Sequence, residues 1–213
     1  KKKYPEAGMY SQAYKIRTLN GNTRDTNYKF IPAPPWEGII PNYFKSRGLG
    51  EAPVCTIVVG IPKKIFLEAG GFPQAYPVGE DEDLWTKIGL KYPVAFNWET
   101  GAIYNTDATN RATHRNMPLG YVEPAANTIR EALRKGEVLP EFVEPLNECV
   151  YEKDIRRAME YVLAGDGKTA RAILRDCKTK WYYKKKLKCF ALAMLPYKLL
   201  LTLQNLKRKV SLS

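Results

Sequence analysis

The sequence predicts an α/β fold in its N-terminal half followed by an α-helical extension. Three observations carry that expectation. The run Cys55 to Gly60 (CTIVVG) is short and β-branched, and the stretches Tyr92 to Trp98 and Ala102 to Asn105 repeat that character. Between them lie two segments with helix start and stop signals. Beyond Pro118 the remaining segments have helical period.

Taken in order, the first 50 residues are rich in Tyr, Pro, Asn and Gly and hold scattered aromatics at Phe30, Trp36, Tyr43 and Phe44. Stretches of this kind are expected to be long ordered loops packed on a scaffold. Cys55 to Gly60 reads as a buried strand. Pro62 then opens a brief helix, Lys63 to Ala69, closed by Gly70 and Gly71. A second helix is expected from near Glu80 to near Leu90. The two strands after it, Tyr92 to Trp98 and Ala102 to Asn105, are expected to be joined by a turn over Glu99 to Gly101.

Asn127 to Lys135 reads as a helix stopped by Gly136. In the next, Glu148 to Ala164, Ile155, Ala158, Met159, Val162 and Leu163 form one apolar face. Gly165 to Gly167 is a tight turn into a helix from Thr169 to Cys177. The Gly167-Lys168-Thr169 triplet is not a phosphate loop: Val162 stands where that motif needs glycine, and no strand precedes it.

Composition removes several classes. Of 213 residues 45% are apolar, which excludes a wholly disordered chain. Fifteen Gly and fifteen Pro without a repeat exclude a fibrous protein. No run of about 18 apolar residues argues for a membrane span. Cys55, Cys149, Cys177 and Cys189 are widely spaced and His114 is the sole histidine, which argues against zinc or disulfides and for a reducing compartment. The chain opens Lys1-Lys2-Lys3-Tyr4-Pro5, with neither Met nor a leader, and is expected to be entered partway through a longer protein.

The net charge of +12 is uneven. Ten of the 34 Lys and Arg fall between Lys178 and Ser213 with none of the 22 Asp and Glu, leaving +2 for the rest. Lysines flank the apolar stretch Cys189 to Leu203, which Pro196 and Lys198 interrupt. The pattern suits a helix over 181–209 lying in the headgroup plane of an anionic membrane. A terminal helix packed on the body, and RNA or another acidic partner, are the other readings.

The most informative segment runs from Gly70 to Leu90 (GGFPQAYPVGEDEDLWTKIGL). Its four carboxylates, Glu80 to Asp83, start a helix, where the dipole favours each by about 0.3–1 kcal/mol. Projected at about 100° per residue, Leu84, Trp85 and Ile88 make a buried stripe with Asp81 at its N-terminal end and Asp83 pointing to solvent. A carboxylate placed like Asp81 can act as a general base; a capping or satisfied core role is the alternative. Asp81 and Asp83 also match a bare D-x-D, but a metal-binding pair usually ends a strand, and here the two side chains lie far apart around a helix.

Together the strand from Cys55, the segment Ile61 to Phe72 (IPKKIFLEAGGF), Gly79 to Trp85 (GEDEDLW), Tyr92 to Phe96 and Ala102 to Arg111 (AIYNTDATNR) resemble the acceptor-side half of family 2 glycosyltransferases of the GT-A, Rossmann-like fold. Tyr4 to Gly8 and the loop Ile31 to Trp36 extend the resemblance over about residues 4–115. The resemblance implies inverting transfer of a sugar from a nucleotide-sugar donor to an acceptor hydroxyl, with Asp81 as base. Glu80, Trp85, Gly70 and Gly71 would shape the acceptor pocket, and Trp36 would stack on a sugar. Arg111 and Arg115 are candidates for the donor diphosphate, or else solvated surface residues. Many relatives carry a metal-ligating His where Asn105 stands, and His114 lies nine residues later. A Mg or Mn ion is expected for the complete enzyme, held mainly by a donor-binding half that these residues lack; no metal ligand is assigned here.

The implied organisation is the acceptor-side half over 1–118, a helical extension over 119–177 and the basic tail over 178–213. The expected partners are the nucleotide-sugar donor, a glycan or lipid-linked acceptor and an anionic membrane surface, not nucleic acid. The expected location is the cytoplasmic face of a membrane, peripherally bound. The alternative is a non-catalytic membrane-binding module derived from a truncated glycosyltransferase.

Overall fold

The computed structural model describes residues 2–106 and 117–202. The chain divides into two units, Lys1–Asn116 with Glu123–Cys149 and Met117–Val122 with Val150–Ser213. The first unit is mixed α/β. Its strands are β1 (Met9–Arg17), β2 (Thr23–Asp25), β3 (Glu37–Ile39), β4 (Val59–Gly60) and β5 (Val94–Asn105). They form one sheet in the order β2-β1-β5-β3, with β4 also paired to β1. β1 and β5 run parallel from Met9↔Val94 to Arg17↔Asn105, and the other pairs are antiparallel. The helices are α1 (Tyr43–Leu49), α2 (Lys63–Glu68), α3 (Glu80–Gly89) and α4 (Pro124–Lys135).

The longest pairing in the sheet is made by a segment expected to be loop. The inward positions of β1 are Met9, Ser11 and Ala13, so small and polar residues occupy buried sites and hide the alternation. Ser11 is buried at little cost because its hydroxyl donates to the Pro53 carbonyl at 2.7 Å. Conversely, Cys55 to Gly60 is not a buried strand. The Val58 N–H closes a turn onto the Cys55 carbonyl, leaving Ile57 43% exposed and only Val59 and Gly60 to pair with β1.

The expected turn over Glu99–Gly101 is a bulge inside a single strand. Gln12↔Asn97 is followed by Ala13↔Thr100 and Tyr14↔Ala102, so β5 carries extra residues against β1. The Asn97 side chain accepts from the Glu99 N–H at 3.0 Å, and a Cβ at Gly101 would lie 2.6 Å from the Gln12 amide oxygen.

α2 and α3 stand where their start and stop signals place them, α2 closed by Gly70 and Gly71 at φ +84° and +63°. Gly79, at φ +85°, caps α3. α4 begins at Pro124 and lays Ala125, Ala126, Ile129 and Ala132 inward, the three alanines admitting close helix packing around the larger Ile129. Met9, Phe44, Leu84, Ile88, Val94, Phe96, Ile129 and Leu146 are fully buried in this unit.

α5 (Pro140–Leu163) starts well before the expected Glu148, and its portion from Val150 belongs to the second unit. Ile155, Ala158 and Val162 are buried as the apolar period requires, whereas Leu163 is 49% exposed where the helix ends. α6 (Gly167–Asp176) is capped by Asp166, which accepts from the Thr169 N–H at 2.9 Å. A Cβ at Gly167 would collide with the Ala193 carbonyl of α7 (Tyr183–Ala193), so this glycine serves helix packing. Ile155, Ala158, Val162, Ala170, Leu174, Cys177, Cys189, Ala193 and Leu200 form the core of the unit.

The tail is not one helix over 181–209. α7 ends at Ala193, Pro196 follows, and a further helical stretch covers 197–202; 203–209 lie outside the described residues. No helix among the described residues is long and apolar enough to cross a membrane.

Candidate active site

The four carboxylates that open α3 meet four different surroundings. Glu80 is half-buried. Asp81, also half-buried, accepts from the Thr56 hydroxyl at 2.9 Å and from the Glu82 N–H at 2.7 Å. Glu82 is ion-paired to Arg47 at 2.9 Å. Asp83 accepts from the Thr128 hydroxyl and pairs with Lys87 at 2.7 Å.

Asp83 therefore does not point to solvent: it is 2% exposed. The projection assumed a helix buried on one side. In the structure Leu84, Trp85 and Ile88 face the core, while Thr128 of α4 covers the side carrying Asp83. Asp83 thus closes a helix–helix contact, and Lys87, one turn on, neutralises it.

Arg47 stiffens the same helix. Its guanidinium is almost wholly enclosed, pairs with Glu82 and donates to Thr86 Oγ1 at 3.1 Å. Burial works against its charge, but the Glu82 carboxylate beside it outweighs burial and holds its pKa above the ordinary arginine value. Burial raises the pKa of the adjacent Tyr43 hydroxyl, keeping it protonated. Cys55, next to Thr56, is likewise pushed up, chiefly by burial and in smaller part by the Asp81 charge.

The turn at Gly70–Gly71 and Trp85 are brought together through Phe72. Phe66 meets Phe72 edge-on at 5.5 Å, and Phe72 meets Trp85 edge-on at 6.0 Å. A Cβ at Gly71 would press on the Phe66 ring at 3.2 Å. Trp85 is 4% exposed and Phe72 43%, so Phe72 presents the accessible aromatic surface here. Trp36 is half-buried, with its ring against Gly38. Arg111, His114 and Arg115 lie outside the described residues.

A cleft of about 460 Å³ opens over the sheet, lined by residues that include Tyr10, Gln12, Glu37, Ile57, Val58 and Asn97. Ile57 and Val58 of its wall follow Thr56 in sequence, but neither Thr56 nor Asp81 lines this cleft. A larger cavity, about 800 Å³, lies along the C-terminal half of α3 beside Lys87, Lys91, Tyr92 and Glu131. The acidic cluster does not suit a divalent cation, because Asp81 and Asp83 turn to separate partners, Thr56 on one side and Thr128 with Lys87 on the other. Among the described residues no three of His, Cys, Asp and Glu gather to hold a metal.

Thr56, Arg47 and Thr128 were not foreseen from the sequence. Thr56 is hidden in a run that looks like a strand, and the other two are distant in sequence from the carboxylates they hold. In comparisons with models of protein families, with curated proteins and with solved structures, the chain matches none.

Proposed function

We propose that this chain is the acceptor-side portion of an inverting GT-A glycosyltransferase similar to family 2, with Asp81 as the general base. The observation that supports the reading is how Asp81 is held. A hydroxyl and a backbone N–H fix its carboxylate, whereas Arg47 and Lys87 neutralise its neighbours Glu82 and Asp83. A carboxylate oriented by neutral donors keeps lone pairs for an incoming hydroxyl and is not quenched by a salt bridge. In the proposed step the acceptor O–H proton passes to Asp81. The acceptor oxygen bonds to the anomeric carbon as the bond from that carbon to the diphosphate oxygen breaks, and the nucleoside diphosphate leaves. Phe72 and the Gly70–Gly71 turn would border the acceptor, with Glu80 at the rim.

The nucleotide sugar, and any Mg or Mn ion accompanying it, would be held mainly by a donor-binding half, with Arg111 and Arg115 the candidates in these residues for the diphosphate. The test is Asp81→Asn in the complete protein. Transfer is expected to fall by at least about 100-fold, with unchanged circular dichroism and melting temperature. Turnover within a few-fold of wild type would remove Asp81 from the mechanism.

A further inference from the structure

We infer that one face of α7 is a docking surface for an anionic lipid bilayer. The membrane contact is narrower than the tail as a whole. Tyr183, Leu187, Phe190 and Met194 recur at spacings of four, three and four, and are 51%, 62%, 40% and 62% exposed. At about 100° per residue they fall on a single line along the helix. Cys189 and Ala193, buried in the core of the second unit, lie about 90–130° to one side of that line, and Lys184 and Lys188 about 90–130° to the other. The helix is thus anchored to its own unit by one flank while presenting four large apolar side chains and a basic flank outward. Beyond Pro196, Tyr197, Leu199 and Leu201 are exposed at 44%, 45% and 39%, while Leu200 at 6% ties that stretch to the same core.

Charge selects the occupant. Residues 178–202 contain seven lysines and no Asp or Glu, so a second copy of the same face would bring like charges together. An anionic bilayer accepts both parts: the apolar line enters the boundary between headgroups and chains, and the lysines meet lipid phosphates and carboxylates. This contact stands whether or not Asp81 is catalytic.

The experiment is sedimentation of the intact chain with vesicles of phosphatidylcholine alone or with 30 mol% phosphatidylglycerol, at low and at high salt. Wild type is expected to bind the anionic vesicles at least about tenfold more tightly than the neutral ones, with affinity falling as salt rises. Leu187→Glu with Met194→Glu should lose at least about tenfold in affinity. Lys184→Gln with Lys188→Gln should lose about 10- to 30-fold at low salt, and it settles the question if the glutamate pair fails to fold. Absence of wild-type binding to anionic vesicles overturns the assignment. So does either folded double variant binding like wild type. A salt-resistant dimer abolished by the glutamate pair, or RNA displacing the vesicles from the wild-type chain, also overturns it by giving the face to another partner.

Discussion

Asp81 and Asp83, two residues apart on the first turn of α3, are held on different sides of the helix: Asp81 by the Thr56 hydroxyl, Asp83 by Thr128 and Lys87. Consecutive acidic residues at a helix start would ordinarily share one dipole role. Here the packing of α4 separates them into one carboxylate that closes the fold and one that stays partly accessible.

Removing Asp83 should therefore damage stability. It is 2% exposed, and its loss leaves the Thr128 hydroxyl and the Lys87 ammonium without their partner. Asp83→Ala is expected to cost about 3 kcal/mol, partly relieved because Lys87 can turn to water. Asp81→Ala should stay within about 1 kcal/mol of wild type, since water can replace it. Urea unfolding of the two variants side by side measures both; equal midpoints would contradict the separation of roles.

The Thr56 hydroxyl holds Asp81 by a 2.9 Å hydrogen bond to Oδ2, and on the proposed function it is a positioning residue. Thr56→Val keeps the shape and deletes the donor. Under the proposed role of Asp81, kcat of the complete protein should fall by about 10- to 100-fold with KM little changed, because general-base catalysis depends on alignment. Thr56→Ser should restore most of the rate. A rate unaffected by valine would mean that Asp81 needs no such support.

Legibility followed the kind of signal each element carries. α2, α3 and α4 could be placed from punctuation: Pro62 before α2, Gly70–Gly71 after it, Gly136 after α4. These signals are local, resting on a missing N–H or a positive φ. β1 was illegible because its buried sites hold Ser11 and Ala13, whose fitness depends on partners such as the Pro53 carbonyl that no local pattern reveals. The Cys55–Gly60 run erred the other way: β-branched residues favour strands, but here a turn takes most of the run. At the site, Asp81 could be singled out because the apolar stripe of α3 lies in its own sequence. The role of Asp83 depends on α4, 45 residues away, and so lay beyond a one-helix projection.

The thiols of the second unit make its stability depend on pH on the alkaline side. Cys177 and Cys189 are 1% and 0% exposed, and burial pushes both up to about 11, Asp154 adding to the effect at Cys177 against Lys186 and Arg157. In the unfolded chain both titrate near the ordinary cysteine value, about 8.5. The folded state thus holds the thiol proton more tightly. The resulting stabilisation is complete below the unfolded value and is lost as pH rises through the folded one. Between about pH 8.5 and 11 the wild-type melting temperature should fall more steeply than that of a Cys177→Ala/Cys189→Ala variant. The variant starts lower, because small cavities replace the sulfurs, but the slope is the diagnostic quantity. Tyrosines and lysines titrating in the same range contribute equally to both proteins, so parallel slopes would mean that the buried thiols are not linked to folding.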